Sequence, residues 1–249
     1  MTGNIYLEEL MKQRNLSLNL SFFNSFFRRS QKKQNIHASL SVPRSVQNCD
    51  GIILNKKTIK SFLFSTDIAL VENSNADAIL AVYPFKPSLQ IMKSLIDFSQ
   101  KPVICGIGGG ITKGQVAFHM AESAEGLGAE AVVVNQPFPN KDIEKLKKKI
   151  SIPIISSIST SDFDFKSRMN AGVDYFHITG GINTIAILEH LKYGLPGFPL
   201  IATAGNTPDA VKHTVQTGVK AVVLSPPSSK ELFREMMDNY RNGINRLKY

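Results

Sequence analysis

A few residues have the types and spacing to do chemistry. Asp67 follows Ser65 and Thr66 at the end of an apolar run. A carboxylate there could act as a general base, or it could cap the helix that follows. His177 alternates with Phe176 and Ile178, so it lies within a strand, either as a buried hydrogen-bonding group or as an acid/base partner. Lys86, in Tyr83-Pro-Phe-Lys-Pro87, could meet a phosphate or act as a base, or it could be a solvated lysine after a turn. Asn135 closes the run Ala131-Val-Val-Val-Asn135 and could orient a carbonyl or amide of a ligand. These four are the catalytic candidates. Cys105 sits within apolar sequence and reads as core. The sequence contains no His-x-His, Glu-x-x-His or carboxylate cluster, so no metal is expected.

Three glycine turns supply the second kind of site. Gly108, Gly109 and Gly110 precede Thr112; Gly180 and Gly181 precede Asn183 and Thr184; Gly205 precedes Asn206 and Thr207. In each case a threonine or asparagine is available to cap a helix. Glycine lets backbone approach a phosphate closely at a helix N-terminus, and it also serves tight strand-to-helix turns that bind nothing. Three consecutive glycines exceed the needs of a turn, which favours ligand contact at 108–110. With Asn206, Thr207 and Ser225 these glycines would hold an anion through backbone and neutral donors rather than an arginine clamp.

These residues recur because the chain repeats one unit. Short apolar runs at 61–66, 79–83, 103–106, 131–135, 154–157, 174–178, 200–204 and 221–224 read as buried parallel strands. Helical segments are expected at 67–76, 88–99, 113–126, 142–150, 162–171, 184–193, 208–218 and 228–240, the last opened by the capping-box spacing Ser228-Ser-Lys-Glu231. Residues 51–54 suit a strand closing the bottom. Eight units at a repeat of roughly 23 residues fit a single (β/α)₈ TIM-type barrel, whose ligands bind where the strands end. A doubly wound sheet is the competitor, but no Gly-x-Gly-x-x-Gly follows the first strand.

Composition narrows the classes. The 249 residues carry a net charge of +9, and residues 10–49 hold Lys12, Arg14, Arg28, Arg29, Lys32, Lys33 and Arg44 with no acid. With Glu8 and Glu9 included, residues 1–49 carry +5 and residues 50–249 only +4, so the basicity is concentrated in a basic extension to a barrel spanning 50–249. No nucleic-acid reader motif accompanies it, and no apolar run approaches the ~20 residues of a membrane span. The extension reads as an arm packing Phe22, Phe23, Phe26 and Phe27 against the barrel, as an organelle-targeting segment, or as an unusual start before Asp50. Two cysteines make no disulfide framework, so a cytoplasmic setting is the default.

Two resemblances follow from these residues. Ile201-Ala-Thr-Ala-Gly205 through Ala221-Val-Val-Leu-Ser225 resembles the ribulose-phosphate-binding barrels, among them indole-glycerol-phosphate synthase and thiazole synthase. That likeness implies a phosphate grip after the seventh and eighth strands. Here Ser225-Pro226-Pro227 departs from the usual Gly-Ser pair and removes two N–H donors. Residues 50–240 resemble a bacterial barrel family of unsettled role often labelled only "hydrolase". The matching stretches are Phe64-Ser-Thr-Asp67, Ala81-Val-Tyr-Pro-Phe85, Gly108-Gly-Gly110, Val132-Val-Val-Asn135 and Ser225-Pro-Pro227.

The expected protein is a barrel enzyme acting on a small, phosphorylated metabolite, by lyase, isomerase or synthase chemistry. The alternatives are a hydrolase, an FMN-dependent oxidoreductase, and a metabolite-binding protein without turnover. The expected partner is a small anionic molecule, with neither nucleic acid nor membrane. No cofactor other than FMN is considered, and homo-oligomer formation stays open.

Overall fold

The computed structural model describes residues 38–242. Phe22, Phe23, Phe26 and Phe27 lie outside the described residues. Two short 3₁₀ turns, Ala38–Leu40 and Arg44–Asn48, come first. Leu40, Val46 and Cys49 are buried in the same core as the barrel helices.

An antiparallel hairpin follows, β1 (Ile52–Leu54) paired with β2 (Lys57–Ile59). The left-handed residues Asn55 and Lys56 make its two-residue turn. Then come the eight barrel strands: β3 (Ser61–Phe64), β4 (Ala78–Ala81), β5 (Val103–Gly108), β6 (Ala131–Asn135), β7 (Ile154–Ile158), β8 (Tyr175–Ile178), β9 (Leu200–Thr203) and β10 (Ala221–Leu224). All neighbours pair in parallel, and β10 closes onto β3. This is the eightfold barrel read from the sequence, and closure excludes the doubly wound sheet. The helices between strands are α1 (Ile68–Asn73), α2 (Leu89–Phe98), α3 (Gly114–Leu127), α4 (Asn140–Lys147), α5 (Phe165–Asn170), α6 (Thr184–Gly194), α7 (Pro208–Gln216) and α8 (Ser229–Arg241).

Period-two alternation divides each strand between two cores. Phe62, Leu80, Ile104, Val133, Ile155, Ile201 and Val223 point inward, while Leu63, Ile79, Cys105, Val132 and Val222 pack under the helices. The inward set continues down to Ile52, Leu54 and Ile59 of the hairpin, which plug the bottom. Residues 51–54 thus close the barrel as expected, though in a hairpin whose second strand the sequence reading omitted. The hairpin packs the bottom of the barrel interior, so the interior opens at the end where the strands finish.

Several helices are shorter than the sequence suggested. α1 stops at Asn73 rather than at 76, and α5 starts at Phe165 because Asp164 caps it by accepting from the Ser167 N–H at 2.9 Å. α4 begins early, at Asn140 behind Pro139. Cap chemistry sets the start of α5, whereas α4 follows Pro139 with no side-chain cap and α1 ends where Ser74 becomes extended. The hairpin plug carries a stability expectation. Leu54→Ala should cost about 2–5 kcal/mol, measured by denaturant unfolding, because the barrel bottom cannot collapse around the void.

Candidate active site at the barrel mouth

The inward positions of four consecutive strands become polar at their last inward residue. Asn135 stands in register with Ser157, and Ser157 with His177. Thr203, two residues beyond the inward Ile201, joins them from β9. His177 is bridged on both sides, Nδ1 lying 2.9 Å from Ser157 Oγ and Nε2 2.9 Å from Thr203 Oγ1. A neutral imidazole has one donor and one acceptor nitrogen, so one hydroxyl donates to it and the other accepts from it. His177 is 4% exposed, and burial pushes its pKa down to about 4. At neutral pH it is therefore uncharged. Ser157 and Thr203 are only partly buried and present the outer edge of this network to the mouth.

Beside the network lies a cleft of about 240 Å³ over the ends of β4, β5 and β6. Asn135 forms one wall, Tyr83, Pro84 and Phe85 another, and the loop Gly108-Gly-Gly-Ile-Thr112 a third. The lining holds no charged side chain. Phe85 and Ile111 are each 74% exposed across its opening.

The glycines of this loop divide by cause. The β5–β6 register shifts between Gly106 and Gly108, the mark of a bulge at the strand end. A Cβ on Gly108 would lie 2.4 Å from the Thr112 carbonyl oxygen, and one on Gly109 would lie 2.4 Å from Asn135 Cβ. Gly109 has φ +142° and donates its N–H to the Thr112 oxygen at 3.0 Å. Chain packing therefore already requires both. Gly110 faces open space, exposed within the cleft.

The other candidates lie outside this cleft. Asp67 is the N-cap of α1, Oδ1 accepting from the Ala69 N–H at 2.9 Å and the Leu70 N–H at 3.4 Å. Its Oδ2 accepts from the Ser229 hydroxyl, tying α1 to the start of α8. Lys86 is exposed and absent from the cleft lining. Gly180 is fixed by Ile187, whose Cδ1 would meet a Cβ at 2.5 Å, whereas Gly181 has φ +59° and open space. Gly205 packs on Ala210, Thr207 caps α7 through the Ala210 N–H at 3.2 Å, and Asn206 is exposed. Ser225 leads through two prolines into α8, whose N-terminus is filled by the Ser228–Glu231 capping box.

Of the caps expected from sequence, Thr207 is a side-chain cap while Thr112 and Asn183 are not. α3 begins after Lys113, and the Gly114 N–H finds the Asp142 carboxylate at 3.3 Å instead. A short 3₁₀ turn, Gly181–Asn183, leads into α6. Cys105 is fully buried, with its thiol pushed up to about 12 by desolvation. Among the described residues no group of three or more His, Cys, Asp or Glu is placed to hold a metal ion.

Sequence reasoning passed over Ser157 as a partner for His177. Its signal was available, since Ser157 is the last inward residue of β7 and His177 that of β8. It also missed Arg168, which the structure buries at 2% exposure. One Arg168 nitrogen, Nη2, donates to the Gln136 carbonyl at 2.7 Å, and the guanidinium lies 5.0 Å from the Phe163 ring centre. Burial lowers its pKa to about 10.

No family model matches this chain, and no curated protein matches it. The resemblance of residues 50–240 to a family labelled hydrolase therefore has no family model behind it. Solved structures do match as folds. A phosphonopyruvate hydrolase in complex with oxalate and Mg++ shares 15% identity at a TM-score of 0.60, over 78% of this chain and 87% of that one. A 2,3-dimethylmalate lyase of the PEP mutase/isocitrate lyase superfamily shares 16% identity at 0.56, over 82% and 88%. The phosphoenolpyruvate phosphomutase of Streptomyces platensis subsp. rosaceus shares 15% at 0.57, over 75% and 83%. At such identity the likeness is one of fold.

Two outcomes follow from the site geometry. Gly109→Ala should lose about 1–3 kcal/mol through its strained φ and its contact with Asn135, while Gly110→Ala should stay within about 0.5 kcal/mol of wild type. Chemical denaturation of both variants checks this. His177 also links stability to pH: in the unfolded chain it takes up its proton near 6.5, in the folded chain near 4. Between those values the unfolded state holds more protons, so acid destabilises the fold, by at most about 1.4 kcal/mol per pH unit. His177→Gln should remove this component, leaving a shallower stability loss from pH 6.5 to 4 than wild type shows.

Proposed function

We propose that the chain is a barrel enzyme that moves a proton on a small anionic acid or phosphorylated metabolite at the strand-end mouth, in lyase or isomerase chemistry. The observation that carries this reading is the Ser157–His177–Thr203 network beside the Asn135 cleft. A buried neutral imidazole between two hydroxyls can relay a proton by switching tautomer. Ser157 takes the substrate C–H proton as it gives its own to His177 Nδ1, His177 gives its Nε2 proton to Thr203, and Thr203 releases its hydroxyl proton to water at the mouth, leaving the electron pair on the substrate as an enolate. Asn135, one strand away, is suited to hold a carbonyl or carboxylate of the substrate, and Gly110 and Thr112 line the facing wall. The named neighbours act on compounds of this class by their titles, a phosphonopyruvate, a dimethylmalate and a phosphoenolpyruvate. That agreement supports the substrate class through a shared fold only.

Asp67 is a weaker base in this reading, because its carboxylate is occupied by the α1 cap and Ser229. Lys86 has no role in the cleft. A phosphate grip at Gly180, Gly181, Gly205, Asn206, Thr207 and Ser225 would compete with caps that the chain supplies itself at α7 and α8. A magnesium site of the kind one neighbour's title names would need free carboxylates; at this end Asp67, Asp164 and Glu231 are engaged as caps, while Asp162 is exposed. FMN would be poorly enclosed, since the cleft of about 240 Å³ falls below the ~300 Å³ at which pockets for drug-sized ligands begin. Hydrolysis remains the second reaction type, with Ser157 polarising a water in place of a substrate C–H.

Solvent deuterium exchange tests the proposal. With pyruvate and 2-hydroxy or 2-oxo diacids in D₂O, the protein should catalyse C–H exchange next to the carbonyl, followed by NMR. Ser157→Ala should slow it by about 10²-fold or more. Full exchange in that variant, or none with any acid in wild type, would remove the proton-transfer role.

A further inference from the structure

A second feature of the β7–α5 unit is unexplained by that reaction. Arg168 is 98% buried, yet its Nε and Nη1 have no hydrogen-bond partner. Those two atoms carry three of the five guanidinium N–H donors. No carboxylate forms an ion pair with it among the described residues. Asp164, on the same unit, gives Oδ1 to the Ser167 N–H and Oδ2 to the Ser167 hydroxyl. The Phe163 ring and the Gln136 carbonyl are the partners the chain provides. An arginine cannot relieve its burial by losing the proton at neutral pH, so an unpaired guanidinium is a standing cost to the fold. Ser156 Oγ, on the outward face of β7 in the same unit, is also fully buried without a partner.

Donors buried this deep call for an acceptor, whether a water or a ligand oxygen. We propose that Arg168 anchors a buried oxyanion site in the β7–α5 unit, taking a carboxylate or phosphate group of a small ligand on its free Nε–H and Nη1–H donors. The site adjoins the mouth in sequence and structure, since Arg168 holds the carbonyl of Gln136, the neighbour of cleft residue Asn135. The exposed segment 159–162 precedes α5, and the Gln136 carboxamide ties it to the end of β6. That carboxamide donates to Thr160 Oγ1 at 2.8 Å and accepts from the Ser159 N–H at 2.9 Å. A planar guanidinium matches either oxyanion, so carboxylate and phosphate are distinguished by measurement.

The inference concerns binding and is independent of turnover. The full chain is titrated calorimetrically with oxalate and with inorganic phosphate, against sodium chloride at equal ionic strength. Wild type should bind one of the two saturably and melt higher in its presence. Arg168→Lys keeps the charge but not the fork and should weaken binding at least tenfold. Arg168→Met should abolish it while melting, without ligand, no lower than wild type, because the uncompensated charge is gone. Ser157→Ala should bind as wild type does, which separates this site from the proton-transfer reading. Absence of saturable binding to wild type, or Arg168→Lys binding as tightly as wild type, overturns the proposal. If Arg168→Met does not fold, the lysine variant decides.

Discussion

Strand register in the closed sheet is the constraint on which the rest of this molecule depends. Because β10 pairs with β3 and every neighbour is parallel, each inward position is fixed relative to the next strand, and a slip of one residue would turn it outward. The register brings Asn135, Ser157 and His177 level with one another across β6, β7 and β8. It also lets Thr203 close the row from β9. The hairpin plug reinforces the same frame from below, since Ile52, Leu54 and Ile59 fill the bottom of the interior.

At the mouth, the electrostatics are unusual for lacking exposed charge in the cleft. Three carboxylates at this end serve the helices: Asp67 caps α1, Asp164 caps α5 and Glu231 completes the box of α8. Helix N-termini satisfied in this way have fewer free N–H groups to offer an anion. A buried positive charge sits under the rim at Arg168, with no ion-pair partner among the described residues. A neutral proton-passing network and a separate buried cation would divide the work between reacting atoms and recognition. That division is consistent with a ligand carrying an acid group at some distance from the bond that changes.

The neighbours in fold act, by their titles, on small phosphorylated or carboxylic acids. Their likeness at 15–16% identity is carried by the barrel, and barrels host many unrelated reactions. The donors at this chain's own mouth include hydroxyl, amide and imidazole groups. The register fixes the hydrogen-bond geometry among them.

The sequence by itself determined the architecture. Eight short apolar runs separated by capped helical stretches, with 51–54 ahead of them, left closure as the natural arrangement, because each run must bury both faces. It also determined several local devices, among them the Ser228–Glu231 box and the Thr207 cap, since these depend on residues three apart. It identified His177, Asn135 and the 108–110 glycines as strand-end features for the same reason. Only the tertiary structure decided what those residues touch. That Gly109 is needed by Asn135, that Asp67 reaches Ser229 on α8, and that His177 lies between Ser157 and Thr203 are contacts between distant positions. Arg168 is the clearest case: on α5 it reads as an ordinary helical arginine, and its burial without a partner exists only once α5 is packed against the ends of β6 and β7. Local spacing fixes periodicity and caps, whereas desolvation and unpaired charge arise from packing, which no short stretch of sequence contains.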